Sequence, residues 1–243
     1  MSSLRHVIAD DIRDKISTGR FKAGERLPSE AQLASGYEVS TATLRSALAV
    51  LHGEGLVEKL HGKGNFVRYP LRRITYVGGG LTPRTKPSAG SALRVSVRTT
   101  NLQAHGQLTG LFRVSDSSPL TEFLCLSYQG NAPHSLARIY VPRDLSPTDV
   151  PAELHCYEGV EAKLAELRPP LADVRERVSA RPPTPEEATT LRISSALAVL
   201  AITRVASDRT GRVVEAALLV LPGDRADALF TTRHMTHERT SGE

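Results

Sequence analysis

The apolar positions of the first 68 residues keep helical spacing three times and then change period. Leu4, Ile8, Ile12 and Ile16, with Val7 beside them, form one stripe, while Asp10, Asp11, Arg13 and Asp14 take the other faces. That spacing predicts a helix ending at Gly19, a natural C-terminal stop. Ser29 followed by Gln32 fits a capping box, so a short second helix is expected from about Glu30 to Ser35, before a turn at Gly36. Ser40 is the expected N-cap of a third helix, whose Leu44, Ala47, Leu48 and Leu51 recur at the spacing of one buried face. "LVEKL" and "NFVRY" then alternate like strands, and "HGKG" between them supplies a tight turn. A support helix, two short helices about a glycine turn and a following hairpin make a winged helix-turn-helix. The pattern by itself also admits a small α+β subdomain with no role on DNA.

Further along, Tyr69 to Gly90 is rich in Gly, Pro and Thr and reads as a linker with one short strand at Ile74 to Val77. Beyond it "ALRVSVRTT" reads as a strand and "LQAHGQLTGLFRV" as a helix. "PLTEFLCLSYQG" and "APHSLARIYVP" read as strands turning at Gly130 and Asn131. Helices are expected near Gly159 to Leu167 and over Pro185 to Leu191, the latter opened by Thr184. "ADVRERVSARPP" and the long apolar run to Pro222 supply more strands, with a hairpin at Asp208 to Gly211. Antiparallel strands with few helices imply an α+β fold. The expected division is a winged helix over 1–70, a linker over 71–91 and a second domain over 92–235.

Composition changes this picture little. The longest apolar runs fall short of the ~20 residues that span a bilayer, and the amino terminus is too acidic for a signal peptide, so a soluble cytoplasmic protein with no membrane partner is expected. Cys125 and Cys156 lack metal-ligand spacing and read as reduced structural thiols, a single bridge being only formally open. His234 and His237 have no third ligand at useful spacing, so neither a metal nor any other cofactor is expected. Charge is more informative. Residues 1–73 carry twelve Lys and Arg against eight Asp and Glu, most of the net +5 of the whole chain. A basic first third joined to a nearly neutral remainder suggests a nucleic-acid-facing module attached to something else.

The motifs over roughly residues 5–68 resemble the DNA-binding domain of the GntR family of bacterial transcription regulators. They comprise the "G-x-x-x-x-G-E-x-LPSE" entry, the "VS-x-x-T-x-R-x-AL" helix, the "EGL" exit and the "G-x-G-x-FV" wing. The resemblance implies double-stranded operator DNA as partner. On the outer face of the third helix Ala42, Arg45, Ser46 and Ala49 are mostly small, which lets the helix approach the groove floor while Arg45 presents a fork to guanine or phosphate. Ser29, Ser40, Thr41 and Thr43 add hydroxyls near helix starts. In the wing, His61, Gly62, Lys63 and Gly64 can reach the minor groove or the backbone. Relatives often carry Arg at the positions of Ala31 and Thr41, so an altered operator is expected.

Residues of about 92–232, including "A-x-x-P-T-P-E-E-A-x-x-L" and "R-x-x-x-D-x-x-G-x-x-V-E", are similar to the UTRA effector-binding domain of the HutC subfamily, with its chorismate-lyase-like fold. That resemblance implies a small-molecule effector, a homodimer, and Glu215 as a pocket acid. Ser135, Arg138 and Tyr140 share one predicted strand and are further candidates, although Ser135 and Arg138, three apart, cannot face one side of a regular strand. Arg177 and Arg204 complete the set. "FLCLS" at Phe123 to Ser127 lacks the basic residues of phosphosugar-binding relatives, which disfavours a phosphorylated sugar. The reading is a ligand-responsive repressor rather than an enzyme or a nonspecific architectural DNA binder. A lyase-like fold does not confer activity, and no catalytic constellation stands out.

Overall fold

In the computed structural model, residues 3–60, 62–68, 73–78, 84–87, 93–130, 132–154 and 158–231 are described. Helix α1 runs over Leu4–Ser17, α2 over Glu30–Gly36 and α3 over Thr41–Gly53. Each starts or stops where local chemistry dictates. Gly19, at φ +76°, donates its N–H to the Ile16 carbonyl and closes α1. Ser29 and Gln32 exchange both bonds of a capping box, and Ser40 accepts the Thr43 N–H. Leu44, Ala47, Leu48 and Leu51 are buried against Ile8, Ala9 and Ile12 of α1. The first turn of the α1 stripe behaves otherwise: Leu4 and Val7 are more than half exposed.

Strands β1 (Val57–Leu60) and β2 (Gly64–Val67) form the wing hairpin, with Gly62 and Gly64 at positive φ in its turn. The sequence pattern gave no sign of a third wing segment. Arg26 bridges Phe66, the Leu27 N–H donates to the Asn65 carbonyl, and the Val67 N–H donates to the Glu25 carbonyl. The stretch before α2 is thereby fixed to the wing.

The remaining elements follow as β3 (Ile74–Val77), β4 (Arg84–Pro87), β5 (Leu93–Gln103), α4 (Gln107–Phe112), β6 (Pro119–Gln129) and β7 (Ala132–Pro142). After these come β8 (Glu153–Leu154), α5 (Glu158–Leu167), β9 (Leu171–Arg181), α6 (Pro185–Leu191), β10 (Val199–Asp208), β11 (Val213–Pro222) and β12 (Ala226–Leu229). The large antiparallel sheet has the order β8-β5-β6-β7-β11-β10-β9, and a smaller sheet has the order β12-β3-β4. An α+β fold, a winged helix followed by an antiparallel-sheet domain with helices, stands as expected. The helix expected over residues 102–114 is shorter than its pattern implied. Leu102 and Gln103 stay in the β5 ladder opposite Leu120 and Pro119, so α4 can begin only after Gly106.

Two faces of the large sheet carry separate cores. Phe123, Cys125, Ile139, Ile202 and Leu219 face α5, whose Val160 and Leu164 they bury, together with Ile74 and Tyr76 of β3. Phe112, Leu120, Tyr140 and Ala216 pack on the opposite face near α4, and Leu136, Leu191, Val199 and Val220 pack near α6. Part of the stretch read as linker is therefore structural. Its β3 pairs in parallel with β12 and antiparallel with β4. The winged helix meets the sheet domain where Arg68 donates to Asp224 at 2.8 Å. Gly55 sits beside them at φ +72°, where a Cβ would stand 2.6 Å from an Asp224 oxygen, so the glycine of "EGL" permits the close approach.

Candidate functional site

Glu30 organises the exposed side of the winged helix. From the first turn of α2 its carboxylate accepts from Arg45 Nε at 2.6 Å and lies 3.6 Å from Lys59 Nζ of β1, so α2, α3 and the wing converge on one acid. The Arg45 contact holds the Glu30 carboxyl below its ordinary range. Arg45 remains 68% exposed, and a pair so open to water is worth about 0–1 kcal/mol, little enough to exchange for a nucleic-acid partner.

The other hydroxyls fall into two groups. Ser29 and Ser40 are engaged as caps, Thr43 shares a hydrogen bond with Ser40, and Ser46 donates to the Ala42 carbonyl. Thr41 is exposed at the start of α3, where N–H groups of the first helical turn lack intrahelical partners. Gly62 and Lys63 are exposed at the wing turn, Gly64 is half-buried, and His61 lies outside the described residues. Arg26, absent from the sequence expectations, lies against Gly64 with its Nε 3.2 Å from where a Cβ would be. Lys59 and Glu30 were missed as well. Their only sequence signal is charge beside the recognition segment.

The effector candidates do not converge. Arg138 donates to Glu122 Oε1 at 2.9 Å and to Glu186; Tyr140 donates to the same Glu122 oxygen at 2.9 Å, and burial raises its phenol pKa above the ordinary range. Arg177 lines a hollow of about 310 Å³ with Gln107, Arg113, Arg175 and Thr203. A second hollow of about 390 Å³ shares Gln107 and Thr203 and includes Arg138, Arg181 and Glu187, so the two adjoin along a cleft between α4 and α6. Ser135 and Glu215 are on the other face. Regular alternation leaves Ser135 opposite Ser127, on the side of Cys125 and Ala137, and the β6–β7 bulge comes only beyond that pair. Plain alternation puts Glu215 on the same face as Ala217 and Leu219, and the bulge between Ala206 and Ser207 moves only Val213 to the opposite side.

There Glu215 is fully buried rather than aimed outward. It accepts from Arg204 at 2.8 Å and from Arg168, and Arg168 also lies 3.5 Å from Glu161. Tyr76 donates to Glu176 at 2.6 Å, and Glu176 lies 3.7 Å from Arg204. Arg204, the last of the candidates named from the sequence, is thus the centre of a buried ionic cluster. Glu161 is the outlying acid. Burial, with Glu215 nearby, pushes its carboxyl up to about 7 against the pull of Arg168 and Arg204. Because the folded value exceeds the ordinary one, the folded chain holds that proton where the unfolded chain has lost it. The resulting stability is full below about pH 4.5 and is lost as pH rises through 7. Urea titrations of Glu161→Gln against the unmodified chain at pH 5 and pH 8 should show the variant gaining roughly 2 kcal/mol in relative stability between the two. An unchanged difference would remove Glu161 as a titrating group.

Cys125 is buried, and its thiol is pushed up to about 12, which fits an inert structural role. Cys156, His234 and His237 lie outside the described residues. No described helix is long and apolar enough to cross a membrane.

Comparison with known proteins matches this architecture at both ends. Residues 4–67 match the family described as "Bacterial regulatory proteins, gntR family", and residues 92–227 match the UTRA domain. An HTH-type transcriptional regulator of Rhizobium meliloti is 30% identical over 231 residues, covering 93% of each chain. The histidine utilization repressor of Klebsiella aerogenes is 28% identical over 221 residues, covering 88% of each. The crystal structure of PhnF from Mycobacterium smegmatis shares the fold, with a TM-score of 0.54 at 20% identity over 96% of this chain and all of that one. A winged helix whose exposed α3 face stands beside a basic wing, followed by a UTRA sheet domain, places this chain in the GntR family of bacterial transcription regulators, in its HutC-type, UTRA-containing branch.

Proposed function

We propose that this chain is a sequence-specific repressor that binds a pseudopalindromic operator as a homodimer in the bacterial cytoplasm and changes its grip when a small acid occupies the sheet domain. The observation that carries the reading is the Glu30-centred surface, where small α3 residues, Arg45 and the wing share one exposed side. In this reading residues 1–70 hold the DNA. Thr41 and the start of α3 take a phosphate, Arg45 leaves Glu30 for a guanine edge, and Lys63 with His61 and Gly62 grips the backbone beside the wing. Ser29, Ser40, Thr43 and Ser46 shape those contacts through the caps they already make, and Gly64 lets the wing turn.

Residues 92–235 would sense the effector. The cleft between α4 and α6 supports an anionic one, since Arg113 and Arg177 line it and have no ion pair among the described residues. Arg138 borders the same cleft through its Glu122 and Tyr140 network, whereas Ser135 and Glu215 would act from the other face by holding the sheet. Half-sites one helical turn apart suit two such heads, and an effector that alters their spacing alters affinity.

A mobility-shift titration of operator DNA tests the reading. Arg45→Ala should cost about 1–3 kcal/mol of specific affinity and relax the preference at one base position. Lys63→Ala should instead lower the slope of log affinity against log salt by about one, for every sequence alike. Random DNA serves as competitor. Equal affinity for random and operator DNA at physiological salt would replace the repressor with a nonspecific binder.

A further inference from the structure

Between the winged helix and the sheet domain lies a cavity of about 560 Å³, separate from the α4–α6 cleft. Its walls are unequal in chemistry. The head supplies Ile16, Phe21, Leu56 and Val67, an apolar wall, whereas the other end carries Arg68 and Arg225. These two guanidiniums are among the most buried charges of the chain, with Arg225 only 3% exposed. They share one carboxylate: Asp224 is 2.8 Å from Arg68 and 3.8 Å from Arg225. Among the described residues Arg225 otherwise donates only a long bond of 3.5 Å to the Pro133 carbonyl, and its Nε has no acceptor. Glu54, the other acid lining the cavity, is already held by Arg13 through two bonds of 3.0 and 2.6 Å.

A buried cation that must share its counter-charge with a second cation is costly, and an unused N–H on it adds a further penalty. Burial and the neighbouring Arg68 push Arg225 down to about 9, against the pull of Asp224 and, from further off, Glu58. A monoanion with a short apolar body suits both walls. Its acid group pairs with Arg225, and its hydrocarbon covers Phe21, Leu56 and Val67. We propose that this interdomain cavity binds a small amphipathic carboxylate, with Arg225 and Arg68 on the acid and the α1–wing side on the hydrocarbon. An occupant there touches the head at Leu56 and Arg68 and the sheet domain at Asp224 and Arg225, so binding also ties the two parts together.

Isothermal titration of the full chain with sodium hexanoate, 1-hexanol and inorganic phosphate tests this. Hexanoate should bind about tenfold or more tightly than hexanol, which lacks the charge, and more tightly than phosphate, which lacks the apolar body. Arg225→Gln should weaken hexanoate by about tenfold or more, and Lys22→Glu, an exposed change on the cavity lining that spares the core, should weaken it in the same direction. Arg177→Ala separates this cavity from the other cleft: a loss of hexanoate binding there as large as that of Arg225→Gln would move the ligand to the α4–α6 cleft and overturn the proposal. No hexanoate binding at millimolar concentration, binding indifferent to both cavity variants, or phosphate binding as tightly as hexanoate would each overturn the proposal.

Discussion

Glu215→Ala is expected to lower the unfolding free energy by about 3–5 kcal/mol, the cost of leaving a buried charge without its partner. Arg204 and Glu215 are both fully buried, and Arg168 approaches the same carboxylate from beside α5. Truncation removes the acid but leaves both guanidiniums in place. Water cannot easily replace it, because Tyr76, Ile202 and Ala217 close that face. The loss should depend on pH in a defined direction. Glu161, 3.5 Å from Arg168, keeps its proton below about pH 7 and can supply charge only above it. Urea titrations of Glu215→Ala should therefore show the larger deficit at pH 6 and a smaller one at pH 8. The double variant Arg204→Met with Glu215→Met should recover much of the loss, since well-packed apolar groups often match a buried pair. A Glu215→Ala deficit below about 1 kcal/mol at both pH values would mean the cluster is solvated rather than dry.

This cluster also marks where sequence reasoning stops. The three helices of the head, the Ser29–Gln32 capping box, the helix start at Thr184 and the hairpin at Asp208 to Gly211 were legible, because each depends on residues within one or two turns of each other. The faces of the long strands were legible only in part. Alternation places Arg138 and Tyr140 together correctly, but the two bulges shift parity, and nothing local announces them. The bulges move only the Pro133 and Val213 ends, whereas Ser135 and Glu215 keep the alternation that separates them from Arg138 and Tyr140. Parallel pairing of β3 with β12 was equally hidden, since it joins Ile74 to Ala226 across the whole second domain. On the DNA-facing side, the helix and its caps were readable. The acid that holds its arginine was not, because Glu30 and Arg45 meet only through tertiary packing.

Leu48→Ala should remove DNA binding by a route unlike that of Arg45→Ala. Leu48 is buried with Leu44, Ala47 and Leu51 against Ile8 and Ile12, so truncation leaves a cavity and should cost about 2–5 kcal/mol. The head is small, with a single core, and small domains have little stability to spare, so a loss of that size unfolds a large fraction of heads. The large sheet keeps its own cores and should persist. Thermal unfolding followed by far-ultraviolet circular dichroism should accordingly show an early, low-amplitude loss of helix, followed by a later transition of the sheet domain. Binding should weaken equally for operator and random DNA and should recover in trimethylamine oxide, which favours the folded head. Arg45→Ala should do neither, because it removes a contact from an intact surface. If Leu48→Ala melted in one unchanged transition and kept full affinity, α3 would not depend on this core for its placement, and the route from buried stripe to exposed reading face would fail.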